Sequence, residues 1–176
     1  MVKFQEINTS DIRYPFVEEL LHTSFPLSER RDDTEQRYNT DSKDHFHCYL
    51  ILDDDTHIGM ISVWEFPEFS YVEHLATSPK IRNKGYGKQI MEALRNQLDG
   101  IIILEVERPE DEMSIRRINF YKRCGFSLCE MDYIQPPYRK GGESLPLYLM
   151  YSGAENIDDR FECIKRKIYS EIYGVE

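Results

Sequence analysis

At 176 residues the chain fits one domain, long enough to bury a sizeable core without disulfide or metal staples. It is 40% hydrophobic and 31% charged, an ordinary globular balance, and its net charge of −10 argues against the basic surface that nucleic-acid binding requires. The four cysteines, Cys48, Cys124, Cys129 and Cys163, form no C-x-x-C pair, which points to reduced thiols in a cytoplasmic protein, and no apolar run approaches the ~20 residues that span a bilayer.

Val2 to Ile7 reads as a short first strand. Ser10 or Asp11 is placed to cap the helix that follows, in which Pro15 suits the first turn and Phe16, Leu20 and Leu21 form the apolar face. That helix ends before Phe25-Pro26. Leu27 to Asp41 is polar, and a second short helix from Ser28 to Tyr38 is expected to be a surface segment because it lacks an apolar stripe. Phe46 to Leu52 and His57 to Phe66 read as an antiparallel hairpin that turns through Asp53-Asp54-Asp55, with Gly59 at a bulge. Tyr71 to Thr77 is a further strand. Tyr86 to Leu98 is an amphipathic helix with Ile90, Met91, Leu94 and Leu98 on one face and Asp99-Gly100 as its stop. The branched run Ile101-Ile102-Ile103-Leu104-Glu105-Val106 predicts a buried parallel strand. Then come a helix ending at Gly125-Phe126, a strand from Ser127 to Ile134, a loop from Gln135 to Ser144, and a last strand from Leu145 to Tyr151. The tail from Asn156 to Tyr173 predicts a helix with Ile157, Phe161, Ile164, Ile168 and Ile172 in one stripe.

The segment Arg82-Asn83-Lys84-Gly85-Tyr86-Gly87 sits between a strand and an amphipathic helix. Backbone amides at such a helix start, with glycines that let a ligand approach, suit a phosphate or pyrophosphate. A Walker A loop would need Gly at Arg82 and Ser or Thr at Gln89. A dinucleotide fingerprint would need a small residue at Ile90. Both patterns fail.

What remains is similar to the acyl-CoA loop, Arg/Gln-x-x-Gly-x-Gly/Ala, of the GNAT superfamily of N-acetyltransferases. Tyr71-Val72-Glu73-His74-Leu75-Ala76-Thr77-Ser78-Pro79 resembles the family's fourth strand, and Ile118-Asn119-Phe120-Tyr121-Lys122-Arg123-Cys124-Gly125-Phe126 its second signature. Upstream of that signature the chain departs from the pattern: Ser114 stands where Asn is frequent, and Arg117 replaces the usual Ala. The matching segments run from about residue 71 to about residue 126.

The resemblance implies an α/β (α+β) GNAT-like three-layer fold: a central mixed six- to seven-stranded sheet with helices on both faces. Residues 1–153 would form the acyltransferase domain, and 154–176 a C-terminal helix packed on that domain or at a dimer contact. The implied activity is transfer of an acetyl group from acetyl-CoA, as co-substrate, to an amine. In that reading the backbone of Leu75, Ala76 and Thr77 pairs with the thioester arm. Arg82, Asn83, Lys84, Gly85, Tyr86, Gly87 and Lys88 surround the pyrophosphate. Tyr121 protonates or contacts the sulfur, and Asn119 touches the arm.

An alkylamine of pKa ~10 is only about one part in 10³ neutral at pH 7, so a proton acceptor helps. Glu73 shares a strand face with Tyr71, Leu75 and Thr77, and base, cation binder and bystander all stay open for it. Phe25 to Arg31 and Tyr133 to Leu145 are the expected acceptor walls. There Glu29, Tyr133 and Tyr138 would receive a small cationic amine or peptide amine. No metal is expected: His45 and His47 lack further ligands at matching spacing, and Asp53-Asp54-Asp55 is too short for a calcium loop. Nucleic acid and membrane are not expected partners, and monomer and homodimer both fit. The competing function is a non-catalytic acyl-CoA-binding sensor or partner subunit.

Overall fold

Continuous apolar runs on both sides of an aspartate turn build the first ladder. Phe46–Asp53 (β2) and Thr56–Glu65 (β3) pair antiparallel in a computed structural model that describes residues 1–176. The turn bends at Asp54, in the left-handed region at φ 51° that Asp tolerates. Ile51 pairs with Gly59 and Leu52 with His57, so Ile58 is the extra, bulged residue beside the glycine. Gly59 has a second reason to lack a side chain: a Cβ there would meet the Ala76 carbonyl oxygen at 2.6 Å. Val2–Glu6 (β1) adds to β2, again antiparallel.

The remaining strands are Ser70–Thr77 (β4), Ile102–Glu107 (β5), Ser127–Gln135 (β6) and Leu145–Ser152 (β7). All belong to one mixed seven-stranded sheet in the order β1-β2-β3-β4-β5-β7-β6. The five helices are Tyr14–Ser24 (α1), Asp33–Ser42 (α2), Tyr86–Gln97 (α3), Glu112–Arg123 (α4) and Phe161–Glu171 (α5). The chain divides into two compact units, one of Met1–Phe66 with Val72–Leu98, the other of Pro67–Tyr71 with Asp99–Glu176.

In the first unit α1 packs on β3, α2 on β2 and α3 on β1. Val17, Leu20 and Leu21 of α1 and Ile90, Met91 and Leu94 of α3 are buried, as their helical spacing requires. Neither Ser10 nor Asp11 caps α1. Arg13 occupies the cap, and the Asp11 carboxylate instead accepts the Arg13 backbone N–H and Nε, both at 2.9 Å. The second helix starts later than its sequence suggests. A 3-10 turn at Leu27–Glu29 comes first, and Asp32 then caps α2 by accepting the Glu35 N–H at 2.8 Å. Nor is this segment purely superficial, because Arg31, Gln36 and Asn39 are buried. An apolar stripe was the wrong criterion: Arg31 goes inside because Gln36 and Glu73 accept its guanidinium there.

In the second unit α4 packs on β5 and β6. A 3-10 turn at Asp158–Arg160 precedes α5, and Asn156 accepts the Asp158 N–H at its start at 3.2 Å. Ile157, Phe161, Ile164, Ile168 and Ile172 are all buried, and the Tyr169 hydroxyl donates to the Ile134 carbonyl of β6.

Candidate functional site

At the end of β4 the Ser78 hydroxyl accepts the Lys80 N–H at 3.3 Å, which bends the chain into a 3-10 turn at Pro79–Ile81. Arg82 is extended, Asn83 (φ 65°) and Gly85 (φ 77°) are left-handed, and α3 begins at Tyr86. Gly85 occupies the cap position and offers no side-chain acceptor, so no side chain closes off the first amides of α3. Arg82, Asn83, Lys84, Gly85, Gly87 and Lys88 are exposed around this helix start. Oriented N–H groups and flanking cations are an arrangement suited to an anion. The Tyr86 side chain is engaged elsewhere. Its hydroxyl donates to Asp53 at 2.5 Å, and the same carboxylate accepts the N-terminal ammonium at 3.0 Å. These bonds hold the Asp53 carboxyl below the usual carboxylate range.

Upstream on β4, Ala76 is buried while Leu75 and Thr77 are half-buried. The Ser78 N–H donates to the Ile58 carbonyl at 2.7 Å, so the strand end is fixed against β3. Glu73 is enclosed. Arg31 Nη2 donates to its Oε2, Trp64 Nε1 donates to its Oε1 at 2.8 Å, and the Arg31 and Glu73 side chains are 2% and 0% exposed. Arg31 Nη1 also donates to Gln36 Oε1 at 2.6 Å. The neighbouring His74 is buried, and its Nε2 donates to the Glu29 carbonyl at 2.9 Å. Its ring meets Phe25 edge-on at 4.6 Å, and burial keeps the imidazole below its ordinary pKa. Thus the segment from Phe25 to Arg31 grips β4 from its side chains and its backbone.

Asp111 caps α4 by accepting the Ser114 N–H at 2.8 Å, and the Ser114 hydroxyl donates to Glu107 at 3.0 Å. The helix closes through Gly125 at φ 93°, where the Phe126 N–H donates to the Tyr121 carbonyl at 3.0 Å. Tyr121 is half-buried, its ring flanked by Phe120 and Phe126 with centroids at 5.4 and 6.1 Å. Burial raises its phenol, so Tyr121 keeps its proton at neutral pH. Asn119 is exposed on the same helix.

In the second unit the structure assembles a cluster that no sequence motif marks. Glu105 of β5 accepts hydrogen bonds from Tyr71 at 2.5 Å, Gln135 at 3.0 Å and Tyr133. The Tyr173 hydroxyl bridges both of its oxygens, at 2.9 and 3.2 Å. Tyr138 packs edge-on against Tyr173, ring centroids 5.0 Å apart, and Tyr133 lies 5.9 Å from Tyr169. Burial pushes the Glu105 carboxyl up, against the opposing pull of the donors. Tyr133 and Tyr138, expected at the acceptor wall, are therefore brought together here; Glu29 belongs to the first unit. The one signal in the sequence was a lone carboxylate inside the branched apolar run of β5.

Residues 14–126 match the model of the acetyltransferase (GNAT) family. Among solved structures, a protein of Bacteroides thetaiotaomicron assigned to GNAT acetyltransferases is 50% identical. That match covers 99% of each chain at a TM-score of 0.97. A Bacillus subtilis acetyltransferase in complex with CoA is 17% identical, over 88% of this chain and 99% of that one, at a TM-score of 0.55. A spermidine N-acetyltransferase variant from Vibrio cholerae is 19% identical, over 85% and 92%, at 0.60. The latter two are likenesses of fold. No curated protein matches at a significant level.

Proposed function

This chain belongs to the GNAT acetyltransferase family, and from that premise we propose that it transfers the acetyl group of acetyl-CoA directly to an amine. The observation that carries the reading is the start of α3, where uncapped amides follow two left-handed residues and stand among exposed Arg82, Lys84 and Lys88. Such a site suits the pyrophosphate of a CoA thioester. Asn83, Gly85, Tyr86 and Gly87 contribute backbone to the same cradle. The thioester arm then follows the backbone of Leu75, Ala76 and Thr77, and Asn119 and Tyr121 are the residues of α4 assigned to the cofactor.

In the transfer step the amine nitrogen attacks the thioester carbonyl carbon. A C–N bond forms, the C–S bond breaks, and the sulfur leaves with the electron pair. Tyr121 supplies a proton to that sulfur, since its phenol stays protonated at neutral pH. The proton that the amine nitrogen loses passes to solvent, and Tyr121 regains its own from the same source. Both Glu73 oxygens already accept hydrogen bonds, from Arg31 and Trp64, so we assign Glu73 to holding β4 in place rather than to taking that proton.

The acceptor is a small amine, cationic in the reading that suits a chain of net charge −10. Residues 1–153 with the helix of 154–176 are read as one catalytic domain. The Tyr169 bond to the Ile134 carbonyl supports the helix as part of it. No helix is long and apolar enough to cross a membrane.

Mass spectrometry of an amine panel incubated with acetyl-CoA tests the reading. Acetylated product with stoichiometric free thiol is expected. Gly87→Glu should abolish CoA binding and turnover together, because its carboxylate would repel the pyrophosphate. CoA binding with no product across the panel would instead make the chain a non-catalytic acyl-CoA sensor or partner subunit.

A further inference from the structure

Glu105 is a buried-side carboxylate satisfied by neutral donors alone. Tyr71, Tyr133, Gln135 and Tyr173 surround it, and none of the ion pairs of the chain includes it. Elsewhere the protein treats a buried carboxylate differently: it gives Glu73 an arginine. A carboxylate held in a low-dielectric place without a countercharge is costly unless something compensates it. Phenols orient the charge without cancelling it.

The surroundings indicate what would cancel it. Tyr71 and Tyr133 are buried, whereas Glu105, Tyr138 and Tyr173 are half-buried. The Tyr173 hydroxyl touches both carboxylate oxygens. That is where a bidentate N–H donor would sit. Tyr173 follows α5, next to Gly174 at φ 67°. Phenol faces beside a carboxylate attract an alkylammonium through cation–π contact as well as charge.

We propose that Glu105, walled by Tyr71, Tyr133, Tyr138 and Tyr173, is the specificity site that receives an alkylammonium group of the acceptor, the ammonium replacing the Tyr173 hydroxyl on the carboxylate. This rests on the amine-acceptor reading above and names the groups that select the amine. Each ammonium N–H donates to a carboxylate oxygen, and no bond is made or broken in this step.

Calorimetry with n-butylammonium chloride, and with n-butanol as its neutral counterpart, tests the site without turnover. The wild-type protein should bind the ammonium at least tenfold more tightly than the alcohol. Glu105→Gln should lose at least tenfold in ammonium affinity while binding CoA as before, and Tyr173→Phe should keep or tighten it because the competing hydroxyl is gone. Should Glu105→Gln fail to fold, Glu105→Asp takes its place, with the carboxylate withdrawn from the phenols and the same loss expected. Equal ammonium affinity in wild type and the Glu105 variant overturns the proposal, as does a tenfold loss in Tyr173→Phe. Ammonium binding that needs Glu105, in a protein that acetylates no amine, would leave this site standing and remove the transfer reading. Amine acetylation with an unchanged acceptor KM in Glu105→Gln would do the opposite.

Discussion

Glu73 and Glu105 show how context divides one side-chain type into different tasks. Glu73 is neutralised by Arg31 and fixed by Trp64, an arrangement suited to holding strands in register. Removing one partner of such a pair leaves a buried charge uncompensated. Arg31→Ala is therefore expected to cost about 3–5 kcal/mol in chemical denaturation, the usual range for a broken buried pair. Glu73→Gln should likewise destabilise the fold, with kcat of the folded fraction changed less than tenfold. A Glu73→Gln protein of wild-type stability that has lost its turnover would return Glu73 to the role of base. The alternation of β4 put Glu73 and Tyr71 on one face, and that much the sequence made readable. The partners of each were not, because Arg31 lies 42 residues away in a segment that looked like solvated surface.

Elements fared better than their ends. The helix α3 and the stripe of α5 follow from a periodicity of 3.6, and the hairpin of β2 and β3 from two apolar runs on either side of an aspartate turn. The stripe makes a quantitative statement: Ile168 is fully buried, so Ile168→Ala should lower stability by about 2–5 kcal/mol, measured by urea unfolding. A loss under half of that would mean α5 detaches easily. Helix starts were less legible. The caps of α1 and α2 fell at Arg13 and Asp32, because several Ser and Asp residues compete locally and the side chain that captures an open amide depends on the neighbouring turn. The start of α3 was readable for the opposite reason. Gly85 and Asn83 adopt left-handed conformations that few other residues accept, so the bend is written into their identities.

For the whole molecule, the surplus of 32 acidic over 22 basic side chains creates a field that draws cations. At saturating acetyl-CoA, kcat/KM for n-butylamine should fall several-fold between about 0.02 and about 0.5 M NaCl, as the Debye length shrinks from roughly 20 Å to a few ångströms. A flat salt profile would confine any attraction to the immediate site. The sequence by itself determined the family, the strand–loop–helix cradle and the order of elements, because each depends on residues close together along the chain whose types limit the backbone. Only the tertiary structure decided which carboxylate is paired and which is not. Tyr71, Glu105, Tyr133 and Tyr173 are separated by up to 102 positions, and it is the folding of the chain around β5 that brings their polar atoms within hydrogen-bonding distance. Pairing across such distances leaves no local pattern, since it depends on how strands and a terminal helix stack rather than on the spacing of neighbours.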